Sequence, residues 1–392
     1  MDISRRNFFR QITVGSAVSA RAWRLDKLRQ VDPQSRLSSG RLGKPIRLDM
    51  NVNPYGPSPK VLEVTRANLD LVNRYPDSDY QPLVERIADF HRVKSGEVTL
   101  GCGSREVLRM AVAAFLNRGK TLVLASPGFE PMAGLAKQGG AEVIAVPITK
   151  YYAHDLDAML HRTNASTGLI YICNPNNPTG SLTPRKDLET FLGRLATNVP
   201  VVIDEAFHEY VASTSDYASF IERPIDDDRV IVVRTFSKIY GLAGLRLGYA
   251  ISSKEMSRKL SLTQLQRGIN IVATRSAAAA LDDSEYIRLS SHRNADQRQE
   301  FYNQTNARML RQVDSVTNFV FTKTGLPSSR VIEHFERNGI TLGPVVPEMD
   351  RYVRVAISTE ENMKEFWRVW GLLPSMSHKM ALNWFGHRAE GN

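Results

Sequence analysis

Cysteine is scarce in this chain: Cys102 and Cys173 are the only two among 392 residues. Two thiols make no disulfide framework, and these are not spaced as a metal site. Both read as ordinary buried thiols. Long apolar runs are missing too, since none reaches the roughly 18 residues that a membrane-spanning helix needs. Acidic residues are outnumbered, 41 against 51 Lys and Arg, for a net charge of +10. That excess is local. Residues 1–47 hold 11 basic and 3 acidic side chains, a net of +8, which leaves only +2 for the rest. With no basic face on the body of the chain and no zinc-finger, RRM or basic-zipper pattern, nucleic-acid binding is set aside. Internal repeats and low-complexity segments are also lacking. What remains is ordinary globular composition, 42% hydrophobic and 23% charged, enough for two domains or one large one.

The basic segment contains "SRRNFFRQITVGSAVSARAW" from Ser4. Paired Arg5 and Arg6, then Phe8 and Phe9, then a weakly apolar stretch and "ARA" resemble a twin-arginine export signal. The other reading is a mobile basic arm, because Thr13, Gly15, Ser16 and Ser19 interrupt the apolar core. On either reading residues 1–36 stand outside the core fold. The protein is expected in the cytoplasm, or in the periplasm if the signal works.

After this leader, apolar β-branched runs alternate with helical patterns. The spacing predicts strands at 98–101, 121–125, 141–147, 169–173, 200–204, 229–235 and 247–251. Several are apolar on both faces, as in a mostly parallel sheet covered by helices. Between them, "SREVLRMAVAAFLNRG" (104–119) repeats apolar residues at helical spacing up to a stop at Gly119. This alternation is the α/β pattern. From about residue 279 it gives way to a long polar helix, a strand (Asn318 to Thr322), a helix (Ser328 to Asn338), a strand (Tyr352 to Ile357) and a helix (Glu360 to Leu372). That reads as a smaller α+β domain. The last stretch, "SMSHKMALNWFGHRAEGN", has no clear period.

Three motifs carry chemistry. "YICNPNNPTG" ends a strand in a turn-rich loop, and a plain loop is its simplest reading. In "VVIDEAFHEY" a strand ends in Asp204 and Glu205, where α/β folds place ligands or where a carboxylate caps a following helix. In "TFSKIYGLAGLRLGYA" a lone Lys238 sits among hydroxyls, small residues and apolar residues, with Arg246 eight positions on. A lysine kept from water needs a partner or a job, whether a salt bridge, a phosphate contact or a covalent bond. One chemistry uses all these groups. Pyridoxal phosphate takes a lysine as a Schiff base and a carboxylate beside its ring nitrogen. Its phosphate takes backbone N–H groups at a helix N-terminus, hydroxyls and a cation. "GCGSRE" (101–106), between a strand and a helix, offers the N–H groups, and Thr235, Ser237 and Arg246 offer the rest.

In order and spacing, "NVNPYGPSP", "YPDSDYQPLVERIADFH", "GCGSRE", "NPNNPTG", "DEAFHEY", "FSKIYGLAGLRLGY" and "RVAIS" resemble the fold-type I pyridoxal-phosphate-dependent aminotransferases. Within them the likeness is to the histidinol-phosphate aminotransferase group, and it runs from about Leu48 to Leu373. The resemblance implies a seven-stranded, mostly parallel sheet and a homodimer with shared sites. It implies a segment at 37–70 packing near the small domain, a cofactor-binding domain at 71–278, a small domain at 279–373 and a tail at 374–392. It casts Lys238 as the Schiff-base lysine and proton shuttle, Asp204 as partner of the pyridinium nitrogen, and Asn177 as donor to the phenolic oxygen. Gly103, Ser104, Arg105, Thr235, Ser237 and Arg246 would lie at the phosphate, with Tyr75 reaching it from a neighbouring subunit. Phe129 would stack on the ring, Arg354 would grip the substrate carboxylate by a bidentate pair, and Asn53 and Tyr55 would lie near the substrate entrance.

Three positions depart from the group's pattern. Phe207 stands where a tyrosine usually bonds the phenolic oxygen, Arg105 where an acidic residue is common, and Pro344 near a frequent arginine for the substrate's distal anion. The expected activity is transfer of an amino group between an L-amino acid, or a histidinol-phosphate-like amine, and a 2-oxo acid. The competing reading is another pyridoxal-phosphate reaction on this scaffold, decarboxylation or cyclisation. A non-catalytic binding protein would be expected to have lost Lys238 or Asp204, and both are present.

Overall fold

The computed structural model describes residues 45–373 apart from 77–78, 213, 215, 223 and 225–226. Arg5, Arg6 and the rest of the proposed leader, with the tail from 374, lie outside the described residues. Eleven strands are described: β1 (Ile46–Leu48), β2 (Val98–Gly101), β3 (Thr121–Ser126), β4 (Glu142–Pro147), β5 (Thr167–Cys173), β6 (Val201–Asp204), β7 (Val230–Thr235), β8 (Gly248–Ser252), β9 (Phe319–Lys323), β10 (Ile340–Leu342) and β11 (Tyr352–Ala356). Seven of them form one sheet in the order β2-β8-β7-β6-β5-β3-β4. Only β8 runs against its neighbours. Six strands therefore end at the same edge, and β8 begins there.

The two-residue period of these strands divides their side chains between two cores. Leu169, Tyr171, Cys173, Val202, Ile231 and Val233 pack on one face, with Val107, Leu108 and Ala111 of the helix Ser104–Phe115. Ile170, Ile172, Val201, Ile203, Val230 and Val232 pack on the other, with residues of the helices Tyr80–His91, Arg185–Arg194 and Ile271–Leu281. By this alternation Asp204 and Thr235 fall on the face of the 104–115 helix. Glu205 and Arg234 fall on the opposite one.

A third core joins Leu48, Val320, Ile340, Leu342, Val353, Val355 and Phe366. It lies around two small sheets, an antiparallel β9–β11 pair and a parallel β1–β10 pair. β1 and β10 are not foreseen above, because three residues carry no readable period. The helix expected over 104–119 ends at Phe115. Asn117 accepts from the Lys120 N–H and Gly119 sits at φ +89°, so the last residues form a separate turn. Cys173 is buried as expected, but Cys102 is partly exposed at the end of β2. No described helix is long and apolar enough to cross a membrane.

Candidate active site

The common strand edge gathers the polar residues. Strand pairing puts Gly101 beside Gly248 and Gly248 beside Thr235, while Asp204 pairs with Cys173 on one side and Val233 on the other. Past these ends lie Gly103 and Ser104, Asn177, Ser237 and Lys238, with Arg246 just before β8.

The first cluster suits a phosphate. Arg246 holds left-handed backbone at φ +57° and donates through Nη1 to Ser237 Oγ at 3.3 Å and to the Ala243 carbonyl at 3.2 Å. The guanidinium then lies directly over Gly103. A Cβ on Gly103 would stand 2.3 Å from Arg246 Nη2, and Gly103 itself has φ +75°, so no other residue is accommodated without displacing Arg246. Thr235 Oγ1 accepts from the Ser237 N–H at 3.1 Å, which fixes the turn into Lys238. Ser104 opens a 12-residue helix directly after Gly103, so the positive end of the helix dipole lies at this turn. Arg105 is exposed on its first turn.

The second cluster surrounds a buried carboxylate. Asp204 is 4% exposed, accepts from Tyr171 Oη at 2.8 Å and from the Ala206 N–H at 3.1 Å, and has no cation bonded to it among the described residues. Burial raises its carboxyl to about pH 6, against the opposing pull of those two bonds and of Lys238. The adjacent Glu205 is occupied otherwise: Arg234 bonds it at 2.9 Å on the far face of the sheet, where Ser219 also donates to it. Of the two acids in "DEAF", only Asp204 looks into the site.

Lys238 lies between these clusters. Its Nζ donates to the Met50 carbonyl at 3.0 Å and stands 5.5 Å from the Phe207 ring centre. Burial, with Arg354 and Arg246 nearby, lowers its ammonium to about pH 8 despite Asp204. Asn53 hooks the same loop down, donating to the Ile239 carbonyl at 2.7 Å while its Oδ1 accepts from the Tyr55 N–H at 3.1 Å. Gly241 permits this approach, since a Cβ there would stand 2.3 Å from the Gly56 backbone.

Arg354 projects from β11. Nη1 donates to Asn177 Oδ1 at 2.7 Å, Nη2 donates to the Asp49 carbonyl at 2.6 Å, and the buried Nε has no partner among the described residues. Burial lowers its guanidinium to about pH 10. Because Asn177 spends Oδ1 on Arg354, its Nδ2 donors are left for a ligand. Phe129 is partly buried against the core that holds Tyr171 and Cys173.

The fold thus brings Lys238, Asp204, Asn177, Gly103, Ser104, Thr235, Ser237, Arg246 and Arg354 to one edge. Tyr75 is not among them. It is 75% exposed with Arg267 over its ring at 4.9 Å. Asn53 uses its amide within the protein, and the Tyr55 ring lies 5.0 Å from the Arg293 guanidinium on the helix Ser284–Ala307. Phe207 packs edge-on against Phe319 at 5.1 Å and offers no hydroxyl. Sequence reading missed Tyr171. Its signal was a phenol in an otherwise aliphatic strand, in register with the strand that ends at Asp204.

A family model described as aminotransferase class I and II matches residues 43–369. The chain belongs to this family. Aminotransferases similar to it include the histidinol-phosphate aminotransferase of Geobacillus thermodenitrificans, 35% identical over 321 residues that cover 82% of this chain and 87% of the relative. That of Caldicellulosiruptor saccharolyticus is 34% identical, covering 83% and 90%. Among solved structures, histidinol-phosphate aminotransferase from Sinorhizobium meliloti in complex with pyridoxal 5′-phosphate aligns at a TM-score of 0.78 and 26% identity, covering 91% of this chain and 98% of that one. The α/β fold of the fold-type I transferases and the pyridoxal-phosphate-dependent aminotransferase assignment stand together.

The residues present fit that cofactor. Gly103, lacking a Cβ, lets the Arg246 guanidinium sit against the turn that opens the helix Ser104–Phe115, and a cation beside a helix N-terminus suits a phosphate. Among the described residues the donors to the buried Asp204 carboxylate are neutral, so a protonated ring nitrogen would supply the missing counter-charge.

Proposed function

We propose that this aminotransferase uses Lys238 both as the nucleophile toward the cofactor aldehyde and as the base that moves a proton at the substrate Cα. When bound, pyridoxal phosphate supplies an electron sink for the carbanion that deprotonation of Cα would leave. The chain's residues do the rest. Asp204 holds the ring nitrogen protonated. Asn177 Nδ2 donates to the phenolic oxygen without help from position 207. The Gly103–Ser104 N–H groups, Thr235, Ser237, Arg246 and Arg105 hold the phosphate. Phe129 covers the ring, and Arg354 takes the substrate carboxylate, with Nε still free for it. Asn53 and Tyr55 shape the substrate entrance.

The reading is carried by one observation: a buried carboxylate with no bonded cation among the described residues and a lysine with a lowered ammonium pKa meet at the strand edge where Arg246 overhangs Gly103. Incubating the purified protein with 2-oxoglutarate and an amino-acid panel tests it. Glutamate as product is the expected result. Carbon dioxide or a cyclic product without glutamate would favour the other chemistries.

The pairing is proposed to be a homodimer. Its support is that Val72 (67% exposed), Tyr75, Leu262 (73%) and Leu265 (56%) expose apolar surface, and in such a dimer Tyr75 would reach a partner's phosphate. Histidinol phosphate is not the preferred donor on this reading. Residues 343–346 are Gly, Pro, Val and Val, with no side-chain donor for a distal phosphate. Lacking one charge-assisted pair in a desolvated pocket costs about 1.5–3 kcal/mol, roughly tenfold to a hundredfold in selectivity.

A further inference from the structure

The wall beyond Arg354 closes on itself. Asn177 accepts from Arg354, and its neighbour Asn176 donates to the Pro127 carbonyl at 3.2 Å. One residue back, Ser126 at the end of β3 donates to Glu348 Oε1 at 2.8 Å. From Glu348 the chain leads back to Gly343, whose N–H donates to the Arg354 carbonyl at 3.0 Å. A Cβ on Gly343 would stand 3.0 Å from Arg354 Nε. Glu348 is thus an exposed charged group on the segment that runs back to Gly343 and the Arg354 side chain. It has no ion pair among the described residues, and its one bond is to a hydroxyl.

The other charges on this wall point elsewhere. Arg351 is exposed in the turn before β11, where it donates to the Gly325 carbonyl. Tyr352 shares the Arg354 face, and its hydroxyl meets that of Tyr152 at 3.1 Å. Arg311 acts electrostatically on Tyr352.

We propose that Glu348 is a specificity-determining residue and that the amino donor it selects carries a cationic side chain, an amine or a guanidinium. The inference rests on the aminotransferase reading above. With the donor carboxylate on Arg354, its side chain runs along the wall toward Ser126. A cation there adds an ion pair at the carboxylate that Ser126 alone now bonds. A phosphate monoester meets a carboxylate instead of a cation, and like charges facing each other are a means of rejection.

The test compares kcat/KM for arginine, lysine, leucine and histidinol phosphate, with 2-oxoglutarate as acceptor, in holoenzyme of the wild type and of Glu348→Gln. Wild type should favour arginine or lysine over leucine by tenfold or more, and histidinol phosphate should rank last. Glu348→Gln should reduce the arginine-to-leucine ratio by tenfold. Independently of turnover, millimolar arginine should raise the Tm of wild-type apoprotein more than that of Glu348→Gln. A wild-type preference for histidinol phosphate, or an arginine-to-leucine ratio unchanged in Glu348→Gln, would overturn the proposal. Turnover of leucine without cationic preference refutes Glu348 alone. No transamination of any donor refutes the underlying reading with it.

Discussion

Asp204 and Lys238 each hold a titration that the unfolded chain does not. In the fold the Asp204 carboxyl keeps its proton up to about pH 6, against 3.8 for an ordinary aspartate. A raised acid pKa contributes stability below the unfolded value that is lost as pH rises through the folded one. At pH 8 the apoprotein therefore bears the cost of an ionised, buried carboxylate. Asp204→Asn should stabilise apoprotein at pH 8 by about 1–3 kcal/mol, read as a higher Tm, while cutting turnover by orders of magnitude. A destabilised variant, or one with near-normal turnover, would contradict this account of the site. For Lys238 the sign is reversed. Burial and two neighbouring cations favour the free amine, which is the reactive form. The rate at which apoprotein takes up pyridoxal phosphate, followed by absorbance, should climb with pH to a midpoint near 8 and then level. Arg354→Gln removes one of those cations and should move the midpoint upward.

Two glycines separate the stability of the elements from the chemistry they present. Gly103 ends the β2 turn and Gly241 ends the turn after Lys238, both with φ above +70°. At Gly103 an added Cβ meets the far end of the Arg246 side chain, which can swing aside. Gly103→Ala should fold, yet bind pyridoxal phosphate about tenfold to a hundredfold more weakly, because the displaced guanidinium leaves Ser237 and the phosphate. At Gly241 the Cβ meets Gly56 backbone, which cannot yield. Gly241→Ala should lower thermal stability by about 2 kcal/mol or more. Equal effects of both variants on cofactor affinity and stability would count against this division.

The same scale shows what was legible beforehand. All seven strands of the large sheet can be read from apolar runs, six of them because burial leaves a strong signal, and the largely exposed edge strand β4 from its β-branched residues alone. β1 and β10 cannot, because their partners lie almost 300 residues apart in the chain and each strand spans three residues. Asp204, Lys238 and Arg246 are visible as polar residues in stretches that otherwise avoid them. Tyr171 and Glu348 are not. The first acts through another residue, and the second becomes meaningful only when folding brings it to Ser126.

At the scale of the whole molecule, the strand edge gathers the site, and the proposed dimer would bring the exposed Tyr75 to a partner's site. Sedimentation of the holoprotein should give a dimer, and Tyr75→Phe should weaken cofactor retention without changing that mass. A monomeric species with full activity would remove Tyr75 from the site. The central claim is that Lys238 bonds the cofactor. Borohydride reduction of the holoprotein, followed by proteolysis and mass spectrometry, tests it most directly. The account predicts a pyridoxyl group on the peptide containing Lys238 and none on Lys238→Ala. A stable adduct on any other lysine, or none on wild type, would contradict it.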